Sequence, residues 1–243
     1  MTKIVSYIND FAISDSTSPI EYKRAGYHQR YLTINGEEIA NTGIDCETCL
    51  FYVEVSGAEW KNPRGISVIL NNGLTELNHN FVSELSCIVP NGQYVVALFK
   101  AYPRLKRQAD GSEYYQIGSR RVGSGKKIEE YIVPIQPSGS LDQSVTEKYM
   151  KTGKGNVNPT ALCVSFLDTK FPLNDIHFDE LWLHTHYLLD GHHKMFAAAH
   201  AKMPVSMLSF LSIDESFASR AQIDKLIQAL DDKMFFDWKK QIG

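Results

Sequence analysis

The chain has no apolar run approaching the ~20 residues that cross a bilayer as a helix, which excludes a helical membrane span. Its opening, MTKIVSYIND, lacks the apolar core and small-residue cleavage site of a secretory signal, so a cytoplasmic protein is expected. Cysteine is scarce. Cys46, Cys49, Cys87 and Cys163 are irregularly spaced and form no disulfide framework. Cys46 and Cys49 have C-x-x-C spacing, but a zinc ribbon needs a second pair and a thioredoxin-type motif opens a helix. The following Leu50-Phe51-Tyr52-Val53 reads as a strand, so reduced structural thiols are expected. Nor is there an excess of charge of one sign. Lys and Arg number 25 against 28 Asp and Glu, a net charge of -3, which gives no global attraction to nucleic acid or anionic lipid. Seven basic residues between Arg104 and Lys127 read as a solvated hairpin rather than a nucleic-acid face. No G-x-S-x-G elbow occurs, and in the Gly118–Lys127 segment Lys127 stands where a phosphate loop needs Ser or Thr.

What is present is ordinary globular material: 243 residues, 43% hydrophobic and 22% charged, enough to bury a core without cross-links. Residues 30–135 are β-rich, with candidate strands at 30–34, 50–55, 66–70, 94–100, 114–117 and 131–135. Turn signals such as Asn35-Gly36, Asn72-Gly73 and Asp110-Gly111 separate them. A Pro/Gly/Ser segment follows Pro134, a short helix is expected over Ser144–Met150, and Lys151–Pro159 is a further loop. The expected division is therefore a β-rich domain over 1–150 and a small α/β domain over 151–243, an α+β protein overall. In the second part the pattern predicts strands at 161–166, 181–189 and 205–211, helices at 192–202 and 219–230 with Asp214 as a cap, and a docked apolar tail at 234–238.

Six of the eight histidines fall between His177 and His200. Alternation through Leu181–Leu189 puts Trp182, His184, His186 and Leu188 on one strand face. Asp190-Gly191 then breaks the strand, and a helix opens at His192-His193-Lys194 before the Ala197-Ala198-Ala199 run. A helix N-terminus offers unpaired N–H groups and partial positive charge, which suits a phosphate or carboxylate. Asp190 can cap the helix, fix a histidine tautomer or hold a metal that accompanies the phosphate. His200, near the helix end, is expected to be structural.

The stretch Leu188-Leu189-Asp190-Gly191-His192-His193-Lys194-Met195-Phe196-Ala197-Ala198, with Pro204 ahead of Val205–Leu211, resembles the signature of the ParB/sulfiredoxin superfamily, including free-serine kinases with an Asp-Gly-His turn. The likeness spans about Leu181–Ser212. It implies a nucleotide site (ATP, ADP or CTP, with Mg²⁺) in which Gly191, His192, His193 and Lys194 hold the phosphate and Asp190, His192 and His193 serve catalysis. His192 stands where sulfiredoxin has its reactive cysteine, and His-His-Lys replaces the Glu-Arg-Arg of ParB, whose guanidinium forks Lys cannot supply. The serine kinases use a further carboxylate, for which Asp168, Asp175, Asp179 and Glu180 are candidates by position.

Three functions follow as expectations. The first is a nucleotide-binding protein acting on a small-molecule phosphate ligand by phosphoryl transfer or phosphate-ester hydrolysis. The second is a non-enzymatic ligand-sensing or interaction module using the same pocket. The third is a histidine-ligated metal hydrolase in which Asp190 and His192 or His193 join His184 and His186. Since His-x-His on a strand is not a diagnostic spacing, no residue is assigned as a metal ligand.

Overall fold

The computed structural model describes residues 2–26, 29–44, 51–57, 64–122, 125–152, 159–171 and 178–231. Cys46, Cys49, Asp175, His177 and the 234–238 tail lie outside the described residues.

The protein is an α+β fold of two sheets. In chain order come β1 (Lys3–Ile13), β2 (Ile20–Ala25), β3 (Gln29–Ile34), β4 (Glu37–Ile44), β5 (Phe51–Val55), α1 (Arg64–Asn72), α2 (His79–Glu84), β6 (Gly92–Ala101), β7 (Arg104–Arg107), β8 (Glu113–Val122) and β9 (Lys126–Pro134). Then follow α3 (Gln143–Thr152), β10 (Thr160–Lys170), β11 (Glu180–Asp190), α4 (His192–Ala201), β12 (Val205–Ser212) and α5 (Arg220–Asp231). The small sheet is an antiparallel meander, β2-β3-β4-β5. The large sheet runs β1-β6-β12-β10-β11-β9-β8-β7, with β10/β12 and β11/β9 parallel and the other pairs antiparallel. The division expected at residue 150 therefore falls inside one sheet: β12 pairs with β6, and β11 with β9.

The large sheet curls back on itself. Only Tyr102 and Pro103 separate β6 from β7, yet these are the second and eighth strands in order. In a flat sheet they would lie about 29 Å apart at ~4.8 Å per strand. The link spans at most about 11 Å, at ~3.8 Å per Cα step. The concave side is shown by side chains that meet over it. The Phe99 ring of β6 lies 6.1 Å from the His184 ring and 5.9 Å from the His186 ring of β11, three strands away in order.

Strand alternation sorts the core. The convex face (Leu162, Val164, Phe166, Leu183, Tyr187, Phe210) packs against the small sheet through Leu32, Ile34, Ala40 and Val53, and against Ile66 and Leu70 of α1. The concave face (Val95, Phe99, Ile128, Ile132, Cys163, Trp182, Leu188, Met207) receives Met195 and Ala198 of α4 and Ile223, Leu226 and Leu230 of α5. The helices sit at opposite mouths of the curl. α4 follows the Asp190 end of β11 and touches β7, β10 and β12. α5 lies at the Glu180 end, where the Gln222 amide donates to Glu180, and it reaches both β1 and β8.

Two expectations about single elements are corrected. Residues 66–70 form helix α1, not a strand: Ile66 and Leu70 are buried and Val68 is exposed, the i, i+4 spacing of a helix face, and Gly73 ends it at φ 81°. Asp214 caps no helix; its carboxylate accepts the Gln93 N–H, and Ser219 stands before α5 with its hydroxyl at the Gln222 N–H. β1, the small-sheet strands β2 and β4, and helix α2 lack the clear patterns that revealed the others. The Asp110-Gly111 hairpin joins β7 to β8 as expected, Arg107 pairing with Glu113. No helix of the described residues is long and apolar enough to cross a membrane.

Candidate metal centre inside the curled sheet

In four neighbouring strands the concave row is apolar except at mid-length. β9 carries Ile128-Glu130-Ile132, β10 carries Cys163-Ser165-Leu167, β11 carries Trp182-His184-His186-Leu188, and β12 carries Met207-Ser209-Leu211. The parallel β9/β11 register sets Glu130 beside His184, and the antiparallel β10/β11 register sets Ser165 beside His186. A buried polar patch thus forms between the two helix-closed mouths.

Glu130, His184 and His186 are each at most 1% exposed. One ligand atom from each lies within 4.8 Å of the others. His184 Nδ1 is 3.4 Å from Glu130 Oε1, and His186 Nδ1 is 2.5 Å from Ser165 Oγ and 3.3 Å from Ser209 Oγ. Ser165 and Ser209 also bond to each other. The imidazole rings stand 4.1 Å apart, and neither Nε2 has a hydrogen-bond partner among the described residues. Thr2 completes the patch: its backbone N–H donates to Glu130 Oε2 at 3.1 Å and its hydroxyl to Oε1. Burial opposes the charge of Glu130, but His184 and the Thr2 hydroxyl lower it and the carboxyl is held well below the usual carboxylate range. Burial, with His184 adding to it and Glu130 opposing, pushes His186 well below its ordinary value, so that ring is neutral.

The Asp190–Lys194 turn is built as the sequence suggests but its side chains are otherwise engaged. Gly191 is the N-cap of α4 at φ 96°, without a side-chain cap, so Asp190 does not cap the helix. The Asp190 Oδ2 atom is buried without a hydrogen-bond partner. His192 is buried; Nε2 accepts the Ile135 N–H at 3.2 Å and the ring also bonds to the Leu188 backbone. Burial, helped by His193, pulls its pKa down to about 3. His193 Nε2 accepts the Asp142 N–H at 3.0 Å ahead of α3. Lys194 Nζ donates to the Thr160 carbonyl at 2.9 Å, with its pKa lowered by burial against the pull of Asp190. All three side chains of the triplet tie α4 to neighbouring backbone. Two of the carboxylate candidates are also paired: Asp168 with Arg30, and Glu180 with Lys126. His200 bonds back to the Phe196 carbonyl, the structural role expected.

The structure therefore brings His184 and His186 together with Glu130, while His192 and His193 face other partners. Glu130 was the residue missed. Its signal is an acidic residue in the buried alternate row Ile128-x-Glu130-x-Ile132. Compared with protein-family models, curated proteins and solved structures, the chain matches none.

Proposed function

We propose that the protein is a metalloprotein that holds one divalent transition-metal ion between Glu130, His184 and His186. One observation carries the reading: among the described residues, two fully buried imidazoles each leave Nε2 without a partner beside a buried carboxylate. An unsatisfied buried polar atom costs about 1–3 kcal/mol, and a bound ion turns that cost into ligation. The outer contacts support it, because ligating histidines usually give their other ring nitrogen to a carboxylate, carbonyl or similar acceptor. Here Ser165, outside the ligand set, stands at the Nδ1 atom of His186. Two imidazoles and a carboxylate suit zinc, or iron(II) as second choice, rather than magnesium or calcium, which favour all-oxygen sites. Three protein ligands leave a coordination position for water, so hydrolysis is the reaction class such a set serves. The nucleotide reading is the less favoured, since His192, His193 and Lys194 each engage a neighbouring backbone group.

The test is metal analysis of untagged protein, followed by titration of apoprotein with Zn²⁺, with Mg²⁺ and ATP, ADP and CTP as controls. One equivalent of zinc is expected, with affinity lowered at least about a hundredfold in Glu130→Gln and His186→Asn, beyond the ~10–100-fold seen when only the partners of ligands change. Metal well below one equivalent in wild type, with none taken up on titration, overturns the reading. A selective nucleotide-induced rise in melting temperature, lost in His192→Ala, would return attention to the Asp190–Lys194 turn.

A further inference from the structure

The proposed ion site is completed from the far edge of the sheet. Thr2 leads into β1, the first strand in order, while Glu130 lies on β9, the sixth. Thr2 is 1% exposed and donates to both oxygens of Glu130. Among the described residues β1 pairs with one strand, β6, and that pairing is broken by irregularities between Ile4 and Ser6 and between Ile8 and Phe11. Asp10 adds a positive φ of 55°. An interrupted edge strand opens more readily than the strands between which the histidines lie. The Thr2–Glu130 contact therefore spans the concave interior from an interrupted edge strand of the sheet.

We infer that the start of β1 is a strap over the ion site, and that its docking and ion binding are linked through Glu130. The inference rests on the ion-site reading above. An ionised carboxylate has about four lone-pair positions. Glu130 can accept from Thr2 and still ligate an ion, and each contact holds the carboxylate in the orientation the other needs. Linkage is reciprocal: whatever factor docking adds to ion affinity, the ion adds to docking. Undocking of Thr2 exposes Glu130 and gives an ion or small ligand a route into an interior that the two helices otherwise close.

The experiment is hydrogen exchange of residues 2–13 in apoprotein and in zinc-loaded protein, with zinc affinity measured on the same samples, for wild type and for Thr2→Val. Valine keeps the shape and the backbone N–H but removes the hydroxyl. Zinc is expected to slow exchange at the start of β1 in wild type. The substitution is expected to lower zinc affinity about tenfold, the lower end of the 10–100-fold typical of residues that hold a ligand in place, and to lessen the protection by the same factor. A Thr2→Val protein that melts like wild type, binds zinc equally well and shows unchanged exchange in β1 overturns the strap while leaving the ion site intact. A wild-type protein that binds no zinc overturns the ion site itself. Thr2→Ser, which restores the hydroxyl, recovers the affinity if the hydroxyl is the link; failure to recover it counts against the strap.

Discussion

At His192 the ring accepts from the Ile135 N–H and is walled off from water, so protonation would leave that N–H facing a cation. Burial is the first cause of its low pKa, about 3 against an ordinary 6.5. Between those values the unfolded chain binds a proton that the folded chain refuses. Stability contributed by the neutral ring is complete above pH 6.5 and falls as pH drops toward 3, at up to ~1.4 kcal/mol per pH unit from this group. Denaturant midpoints measured from pH 7 to pH 4 should fall for wild type, and less steeply for His192→Gln, which carries an acceptor that does not titrate. Equal slopes would show that His192 is not the group responsible. At this scale the sequence located the histidines but not their employment. It placed His184 and His186 on one face, as found, because alternation is local. It could not supply Glu130, since a parallel partner 54 residues away is fixed by the register of the whole sheet.

The run from β11 through Gly191 and α4 to β12 is the part of the molecule that the sequence described best. A strand of alternating pattern, a glycine, an alanine-rich helix and a proline before the next strand each have a local cause, and all appear in order. Gly191 is needed twice over: its φ is 96°, and a Cβ there would lie 2.9 Å from Ala161 Cβ and 3.0 Å from Ala161 Cα. Gly191→Ala should cost about 1–3 kcal/mol from backbone strain, and more if Ala161 must shift, read as a lower urea midpoint at unchanged slope. No loss of stability would mean that the turn relaxes in a way the crowding around it does not suggest. α1 shows the converse. Gly65-Ile-Ser-Val-Ile-Leu has the β-branched composition of a strand, and only the docking of Ile66 and Leu70 on the convex core makes it helical.

For the whole molecule, curl and strand order matter more than any boundary. Composition changes after residue 134, but β12 lies between β6 and β10, and β11 between β10 and β9. Loops were legible as loops; the pairings that ignore them were not, because nothing local encodes which distant strand a strand will meet. Residues 1–150 and 151–243 produced separately should each lack cooperative unfolding, and mixing them should restore it in part. A sharp thermal transition in either piece alone, followed by circular dichroism, would show that the shared sheet is dispensable.

The position of β12 also bears on how the chain is made. Among the described residues it is the last strand in chain order, yet it fills the gap between β6 and β10. At about 5–20 residues per second on the ribosome, roughly 5–20 s pass between completion of β6 and the appearance of its central neighbour. During that interval β6, buried on both faces in the finished protein, has one hydrogen-bonding edge open. The nascent protein therefore carries a half-paired apolar strand through that interval, and its yield in the cell should depend on chaperone holding and on synthesis speed more than the stability of the final fold implies.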